Sequence, residues 1–496
     1  MTARRGGFAP RVAAGLAILA SGCGTGLDRP PAPPLPTPES PRVARPNIVV
    51  VVTDDMDNSL VASMPTLVAQ LAERGATFVN AFTTDPVCGP SRASLLTGRY
   101  PHNHGMLENK PPTGGYRAFV DKGNEASTIA VWLAAAGYRT ALIGKYLNRY
   151  PGQKDLTRVP PGWLEWQAVF FPETYDEYRM NENGRVRKYG GSDADYQTDV
   201  LQAKALAFLR AGSREQPFFL YLAPSAPHAP SEPASRHQDL FPEARAPRPP
   251  AFNEENVGDK PAWVRALPRL SPEAVKAADD WQRRRMQTLQ AVDEMLAALL
   301  SELESSGRLE RTFVWFTSDN GFLLGAHRLD RGKDAPYEDA IRVPLMLRGP
   351  GVSPGIRLEE LALNIDLAPT FAELAGAAIP TSVDGRSLAG LIGAQPTPPR
   401  EWRRDFLVEH WQTGKQRRKE VPDPEEDTAI PDYAALRTVD GLYVEYPDSG
   451  ERELYDLNAD PGQLESRHNA TSARELKRLS DRLAALRRCA GLTCRN

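Results

Sequence analysis

The chain has 496 residues, 41% of them hydrophobic and 25% charged, with a formal net charge of −3. That length can bury a large core and accommodates one big domain with a smaller one beside it. The near-neutral balance is that of an ordinary soluble protein and carries no signature of nucleic-acid binding.

The first segment reads as a leader. Arg4, Arg5 and Arg11 precede an apolar run from Val12 to Ala20, followed by Ser21-Gly22-Cys23. A basic start, a short apolar stretch and small residues make a secretory signal over 1–23. Cys23 after Leu19-Ala20-Ser21-Gly22 resembles a bacterial lipobox, whose cysteine is lipidated; a plain signal peptide is the alternative. Either way the protein is expected to be exported, as a cell-surface lipoprotein or a secreted protein. The apolar run is too short for a permanent membrane span. The Pro-rich stretch 24–45 then serves as an extended tether.

From residue 46 the pattern alternates strand-like and helix-like segments, predicting an α/β fold with a large, mostly parallel central sheet flanked by helices. Ile48 to Val52 is a buried strand ending in Thr53-Asp54-Asp55. Pro65 to Arg74 and Ala126 to Ala136 read as helices, and Thr140 to Ile143 as a strand. Further strands are expected at Phe218 to Leu222, Phe313 to Thr317 and Val343 to Leu347. The longest helix is expected over Pro272 to Ser306, and a short one over Asp366 to Ala375. This catalytic portion spans 46–395. From 396 to 496 a Pro-rich charged stretch leads into the strand-like runs Tyr433 to Val439, Gly441 to Tyr446 and Glu453 to Leu457. A closing amphipathic helix at Ser472 to Arg487 completes a small C-terminal α+β domain. Of the four cysteines, Cys489 and Cys494 are close enough in sequence to close a small loop in an oxidising compartment.

The chemistry concentrates at strand ends, where open α/β sheets place their sites. Asp54 and Asp55 follow one strand, and Asp319 and Asn320 follow another. Four oxygen-donor side chains suit a hard divalent cation, Ca²⁺ or Mg²⁺. Cys88 opens the run Cys88-Gly89-Pro90-Ser91-Arg92. Pro90 suits the first turn of a helix running to about Thr97, with Cys88 just before it. A helix N-terminus there would favour a bound anion and a developing oxyanion, and Arg92 would lie one turn away.

These residues resemble the sulfatase family of the alkaline-phosphatase-like superfamily. Cys88-Gly89-Pro90-Ser91-Arg92 matches its Cys-x-Pro-x-Arg maturation signal. Gly137-Tyr138-Arg139-Thr140-Ala141-Leu142-Ile143-Gly144-Lys145 matches a second signature, ending in an active-site lysine. The resemblance implies that Cys88 is oxidised to formylglycine by a formylglycine-generating enzyme acting on the unfolded chain, and is then hydrated to a geminal diol. One hydroxyl attacks sulfur and the alcohol leaves; the second then expels sulfate. Asp54, Asp55, Asp319, Asn320 and the modified Cys88 would ligate the metal, Ca²⁺ by resemblance. Arg92, Lys145 and Lys333 would neutralise the sulfate, and His228 would bind it and protonate the leaving oxygen. His104 and His327 lie in family-like contexts as weaker candidates.

One departure stands out. Many sulfatases carry a histidine two residues after the signature lysine, where this chain has Leu147. The run Gly144-Lys145-Tyr146-Leu147-Asn148 is similar to that of glucosamine-6-sulfatases and heparan endosulfatases. A sulfated carbohydrate of the glucosamine-6-sulfate type is therefore the expected substrate, with aryl sulfates as the alternative. The loops at Glu108-Asn109-Lys110 and Tyr175 to Tyr178 are candidates for selectivity. A formylglycine phosphonate monoester hydrolase, or a non-catalytic surface protein binding sulfated polymers, would be the competing readings.

Overall fold

The computed structural model describes residues 45–152, 155–393, 402–412 and 430–495. The leader, Cys23 and the tether as far as residue 44 lie outside the described residues, as does most of the charged stretch before residue 430.

The Ile48–Val52 run explains the centre of the molecule. All five side chains are wholly buried, contributing about 1.5–3 kcal/mol each relative to exposure. Strand Asn47–Thr53 pairs in parallel with Phe218–Ala223 on one side and Thr312–Ser318 on the other. Phe218–Ala223 continues in parallel to Arg139–Gly144, and that strand to Glu165–Val169. Both margins of the ten-stranded sheet turn antiparallel: Leu345–Arg348 runs against Thr312–Ser318, and the hairpin Arg179–Glu182/Arg185–Lys188 closes the far edge.

Helices cover both faces, as a buried parallel sheet requires. On one face lie Ile129–Ala135 and Leu367–Ala375. On the other lie Gln197–Ala211 and the 34-residue Pro272–Ser305 helix. The last begins where its sequence says it should, with Ser271 Oγ accepting from the Ala274 amide and Pro272 in the first turn.

A second, antiparallel sheet comprises Asp405–His410, Tyr433–Thr438, Gly441–Glu445 and Arg452–Asp456, with Ala473–Leu486 packed on it. Its first strand was not expected, because it lies inside the Pro-rich charged stretch. It pairs from Asp405 opposite Thr438 to His410 opposite Tyr433. Phe406, Leu442 and Leu483 share one apolar cluster with Phe82, Tyr100 and Ile341, so the small sheet is packed on the large body. The described residues form one compact unit. Cys489 and Cys494 are disulfide-bonded, and the Cys489 carbonyl accepts from His102 Nε2 at 3.0 Å and Asn103 Nδ2 at 2.9 Å. Among the described residues, no helix is long and apolar enough to cross a membrane.

Candidate active site

Residues following three strands, Asp54 and Asp55, Lys145 and Asp319, gather with Lys333 and Arg92 around Cys88. The helix spans Cys88–Thr97, so Cys88 is its first residue rather than the one before it, and Val87 is the extended N-cap. Gly98 ends the helix at φ 67°, the left-handed conformation that glycine adopts without penalty. Gly89 is required by close approach: a Cβ there would stand 2.6 Å from Met106 Cε and 2.7 Å from Asn109 Oδ1. That asparagine oxygen instead accepts the Gly89 amide at 2.8 Å. The loop at 108–110 thus braces the helix that begins at Cys88.

The Cys88 thiol is fully buried. It donates to Asp54 Oδ1 at 3.2 Å and lies 3.7 Å from Asp55 Oδ1. Lys333 Nζ donates to Sγ at 3.0 Å and to the two Asp55 oxygens at 2.7 and 2.8 Å. Lys145 Nζ reaches Asp54 Oδ2 at 2.5 Å. Arg92, wholly buried, donates through Nε to Asp319 Oδ2 at 2.8 Å and brings Nη2 to 3.7 Å from Asp54. Three carboxylates and three fixed cations therefore interlock in a buried cluster.

Their titration follows from that arrangement. Burial alone would push the Asp54 carboxyl up, but Lys145, His228, Arg92 and Lys333 together hold it well below the usual carboxylate range. Burial, with the negative charge of Asp54, raises the Cys88 thiol well above its ordinary value. Asp319 is pushed up to about 6 by burial and by Asp54, against the pull of Arg92. Burial opposes protonation of Lys145, but the negative charges of Asp54, Cys88 and Glu173 together raise it.

Asp55 sits in the left-handed region at φ 66°, a conformation an aspartate tolerates better than most residues. Its backbone is held from three sides. Its amide donates to Asp319 Oδ1 at 3.1 Å, the following Met56 amide donates to Ser318 Oγ at 2.8 Å, and its carbonyl accepts from Arg285 Nη2 at 2.6 Å. Arg285, on the long helix, was not anticipated as part of this assembly.

Asp54, Asp55, Cys88 and His228 each bring one ligand atom to within 4.8 Å of the others. Asn320 Nδ2 donates to Asp55 Oδ1 at 2.6 Å, while its buried Oδ1 has no partner. An orphaned amide oxygen beside two carboxylates fits a hard cation. The Asp319 oxygens are already engaged, Oδ1 by the Asp55 and Asn320 amides and Oδ2 by Arg92.

His228 lies at the rim, its side chain 17% exposed, with Nε2 3.9 Å from Asp55 Oδ2. Its Nδ1–H donates to the Ala229 carbonyl at 2.8 Å, so Nε2 is the end that faces the cluster. Tyr175 steadies this loop by donating to the His228 carbonyl at 2.7 Å. Leu147 is buried in the apolar cluster on the helix side and takes no place around Cys88. The two weaker histidines are structural. His104 bridges Ser94 Oγ and the Met106 amide, and burial lowers it to about 3. His327 pairs with Glu254 at 2.7 Å against the Tyr337 ring.

The model of the sulfatase family matches residues 46–377, and that of the N-sulphoglucosamine sulphohydrolase C-terminal region matches 327–489. The chain belongs to the sulfatase family. It is a sulfuric ester hydrolase with an alkaline-phosphatase-like fold. Among relatives of this sulfatase, human N-acetylglucosamine-6-sulfatase is 36% identical over 483 residues, covering 91% of this chain and 86% of the human one. The Drosophila melanogaster extracellular sulfatase SULF-1 homolog is 36% identical over 377 residues, 75% of this chain and 33% of that protein. A similar solved structure, with a TM-score of 0.75 and 25% identity, covers 89% of this chain and 97% of its own; it was determined in complex with its substrate D-glucosamine-2-N,6-O-disulfate.

Proposed function

We propose that this sulfatase is exported and hydrolyses 6-O-sulfate esters of glucosamine-type carbohydrates, using formylglycine made from Cys88 and a divalent cation, Ca²⁺ by preference. The convergence of Asp54, Lys333 and a helix N-terminus on the Cys88 sulfur carries this reading. The similarity to human N-acetylglucosamine-6-sulfatase and to the disulfated-glucosamine complex supports the substrate class, and the extracellular sulfatase homolog supports export, as a lipoprotein or a secreted protein. The reading keeps the division into a catalytic portion, 46–395, and a C-terminal α+β portion, 396–496.

Asp54, Asp55, Asn320 and Asp319, with the modified residue 88, would hold the cation, which supplies Lewis-acid polarisation of the sulfate oxygens and lowers the pKa of the attacking hydroxyl. Formylglycine, formed by the generating enzyme before the chain folds, supplies when hydrated a second hydroxyl that an ordinary serine lacks. The remaining work falls to the chain's own groups. Fully ionised, the three carboxylates balance Arg92, Lys145 and Lys333, so a bound dication would leave the cluster with surplus positive charge facing an anionic ester. Lys145 and Lys333 hold the sulfate oxygens, and Arg92 fixes Asp319 and Asp54 in place. His228 Nε2, at the open side, delivers a proton to the departing oxygen.

Mass spectrometry of the peptide containing residue 88, from a host with the generating enzyme, tests the nucleophile; the expected product is the aldehyde. An unmodified thiol would favour a non-catalytic binding role. Turnover of an aryl sulfate should exceed that of the matching aryl phosphonate, and a strong phosphonate preference would sink the assignment.

A further inference from the structure

Three residues before Cys88 lies a group that the reaction leaves unused. Asp85 is wholly buried, and neither of its carboxylate oxygens has a hydrogen-bond partner. Leaving such a group unsatisfied is costly, and native structures do so rarely. Its surroundings make the position harder to account for as packing. The Glu409 amide donates to the Thr84 carbonyl at 3.0 Å, and the Asp334 amide to the Pro86 carbonyl at 3.3 Å, so two more acids flank the same short loop. Burial pushes the Asp85 carboxyl well up, and the charges of Asp334, Glu409 and Glu108 push it further.

The nearest basic group does not compensate. His410 Nδ1 stands 4.0 Å from Asp85 Oδ1, beyond hydrogen-bond reach. Burial lowers this histidine to about 4, against a backbone contact with Ile430, so it is a neutral imidazole. His102 Nδ1 takes Glu409 Oε1 at 2.7 Å, leaving Oε2 without a partner; the buried Tyr433 hydroxyl has none either. Among the described residues, no lysine or arginine forms an ion pair with Asp85. Burial does not disqualify the place as a subsite, since Cys88 and Asp54 are just as buried. Lys333, which touches Cys88, is the immediate neighbour of Asp334, so these acids stand next to the reacting centre.

We infer that Asp85, together with Glu409 Oε2, forms a subsite for a protonated primary amine on the alcohol part of the sulfate ester. An ammonium brings three donors and a positive charge to the Asp85 oxygens and Glu409 Oε2, which no donor reaches. An N-sulfate would bring further negative charge to the same acids, and an N-acetyl group would offer a single donor without charge. This inference rests on the amino-sugar reading above and sharpens it: the preferred ester is glucosamine 6-sulfate with a free amine. Asp85 would act as a specificity residue and not in the chemical step.

The test compares kcat/KM of formylglycine-bearing enzyme on glucosamine 6-sulfate, N-acetylglucosamine 6-sulfate, N-sulfoglucosamine 6-sulfate and an aryl sulfate, for wild type, Asp85→Asn and Glu409→Gln. Wild type should prefer the free-amine ester. Asp85→Asn should reduce kcat/KM for that ester by about 10- to 100-fold, the range of one charge-assisted hydrogen bond, while the N-acetyl ester and the aryl sulfate stay within about threefold. Glu409→Gln should move selectivity the same way. In the ligand-free protein, Asp85→Asn should keep or raise Tm, because an unsatisfied buried carboxyl is lost; a purely structural aspartate would lower it. Equal effects on all esters, or a wild-type preference for the N-substituted sugars, would overturn the subsite and leave the carbohydrate reading standing. Turnover of the aryl sulfate alone would overturn both.

Discussion

Lys333→Met removes one charge and leaves a side chain of similar length. Lys333 Nζ is 2.7 and 2.8 Å from the Asp55 oxygens and 3.0 Å from Cys88 Sγ, with its side chain only 7% exposed. So buried a charge is weakly screened, and in the proposed role it would face the negative charge of the sulfate. Losing one preorganised donor of this kind costs about 10²- to 10³-fold in kcat, or roughly 3–4 kcal/mol of transition-state stabilisation. The fold should survive. Asp55 keeps the Asn320 amide at 2.6 Å, so the stability cost is about 1–3 kcal/mol, that of one partly unpaired buried carboxylate. The assay is steady-state hydrolysis of an aryl sulfate, normalised to formylglycine content measured on the residue-88 peptide, with a thermal melt alongside. A loss below about tenfold at full formylglycine occupancy would refute the assignment of Lys333 to the reacting sulfate. A melt that collapsed in proportion to activity would reassign it to structure.

Three further outcomes are expected. Exhaustive chelation should abolish turnover and Ca²⁺ should restore it, with Asn320→Ala raising the cation concentration needed by about tenfold or more; full activity after chelation would remove the metal from the reading. Replacing Cys489 and Cys494 by serine should destabilise the protein by about 2 kcal/mol, since the bridge closes a loop with a separation of only 5 residues; unchanged denaturant midpoints would show that the terminal loop is already held by its other contacts. His102 gives a pH signature. Burial lowers it, but the Glu409 contact more than offsets this, so its pKa in the fold lies above the ordinary 6.5. Its contribution is then fully present below pH 6.5 and is lost as pH rises through the raised value. The Tm difference between wild type and His102→Gln should therefore be largest in mild acid and shrink towards alkaline pH, and a pH-independent difference would contradict the ion pair.

Much of the candidate site was legible as a local arrangement because its signals are short. A β-branched run that stops at paired carboxylates announces a strand end, and Ile48 to Asp55 behaves as such a run should. Cys88 to Gly98 likewise carries a proline in its first turn and a glycine at its stop. What escaped was non-local. Asp405–His410 is three apolar residues between charged ones, and becomes a strand because Tyr433–Thr438 pairs with it. Arg285 looked like one charge among several on a long helix, and only the packing of that helix under the sheet sends it to the Asp55 carbonyl. Asp85 could be read as a turn residue; its isolation among other acids depends on Asp334, Glu409 and Glu108, brought together from three distant parts of the chain. Leu147 marked a departure from the family pattern, but only the fold shows that it joins an apolar cluster with Tyr146 and Met106.

The strand order also acts as a clock. Asn47–Thr53 lies between neighbours made much later, and its first residue meets Thr312 across 265 positions. Cys88 waits 245 positions for Lys333. At roughly 5–20 residues per second of synthesis, that delay is on the order of 10–50 s. Throughout this interval the sheet has no completed centre and the cysteine has no pocket to retreat into. The topology therefore keeps open, on every emerging chain, an interval in which a modifying enzyme can reach a side chain that the finished fold hides.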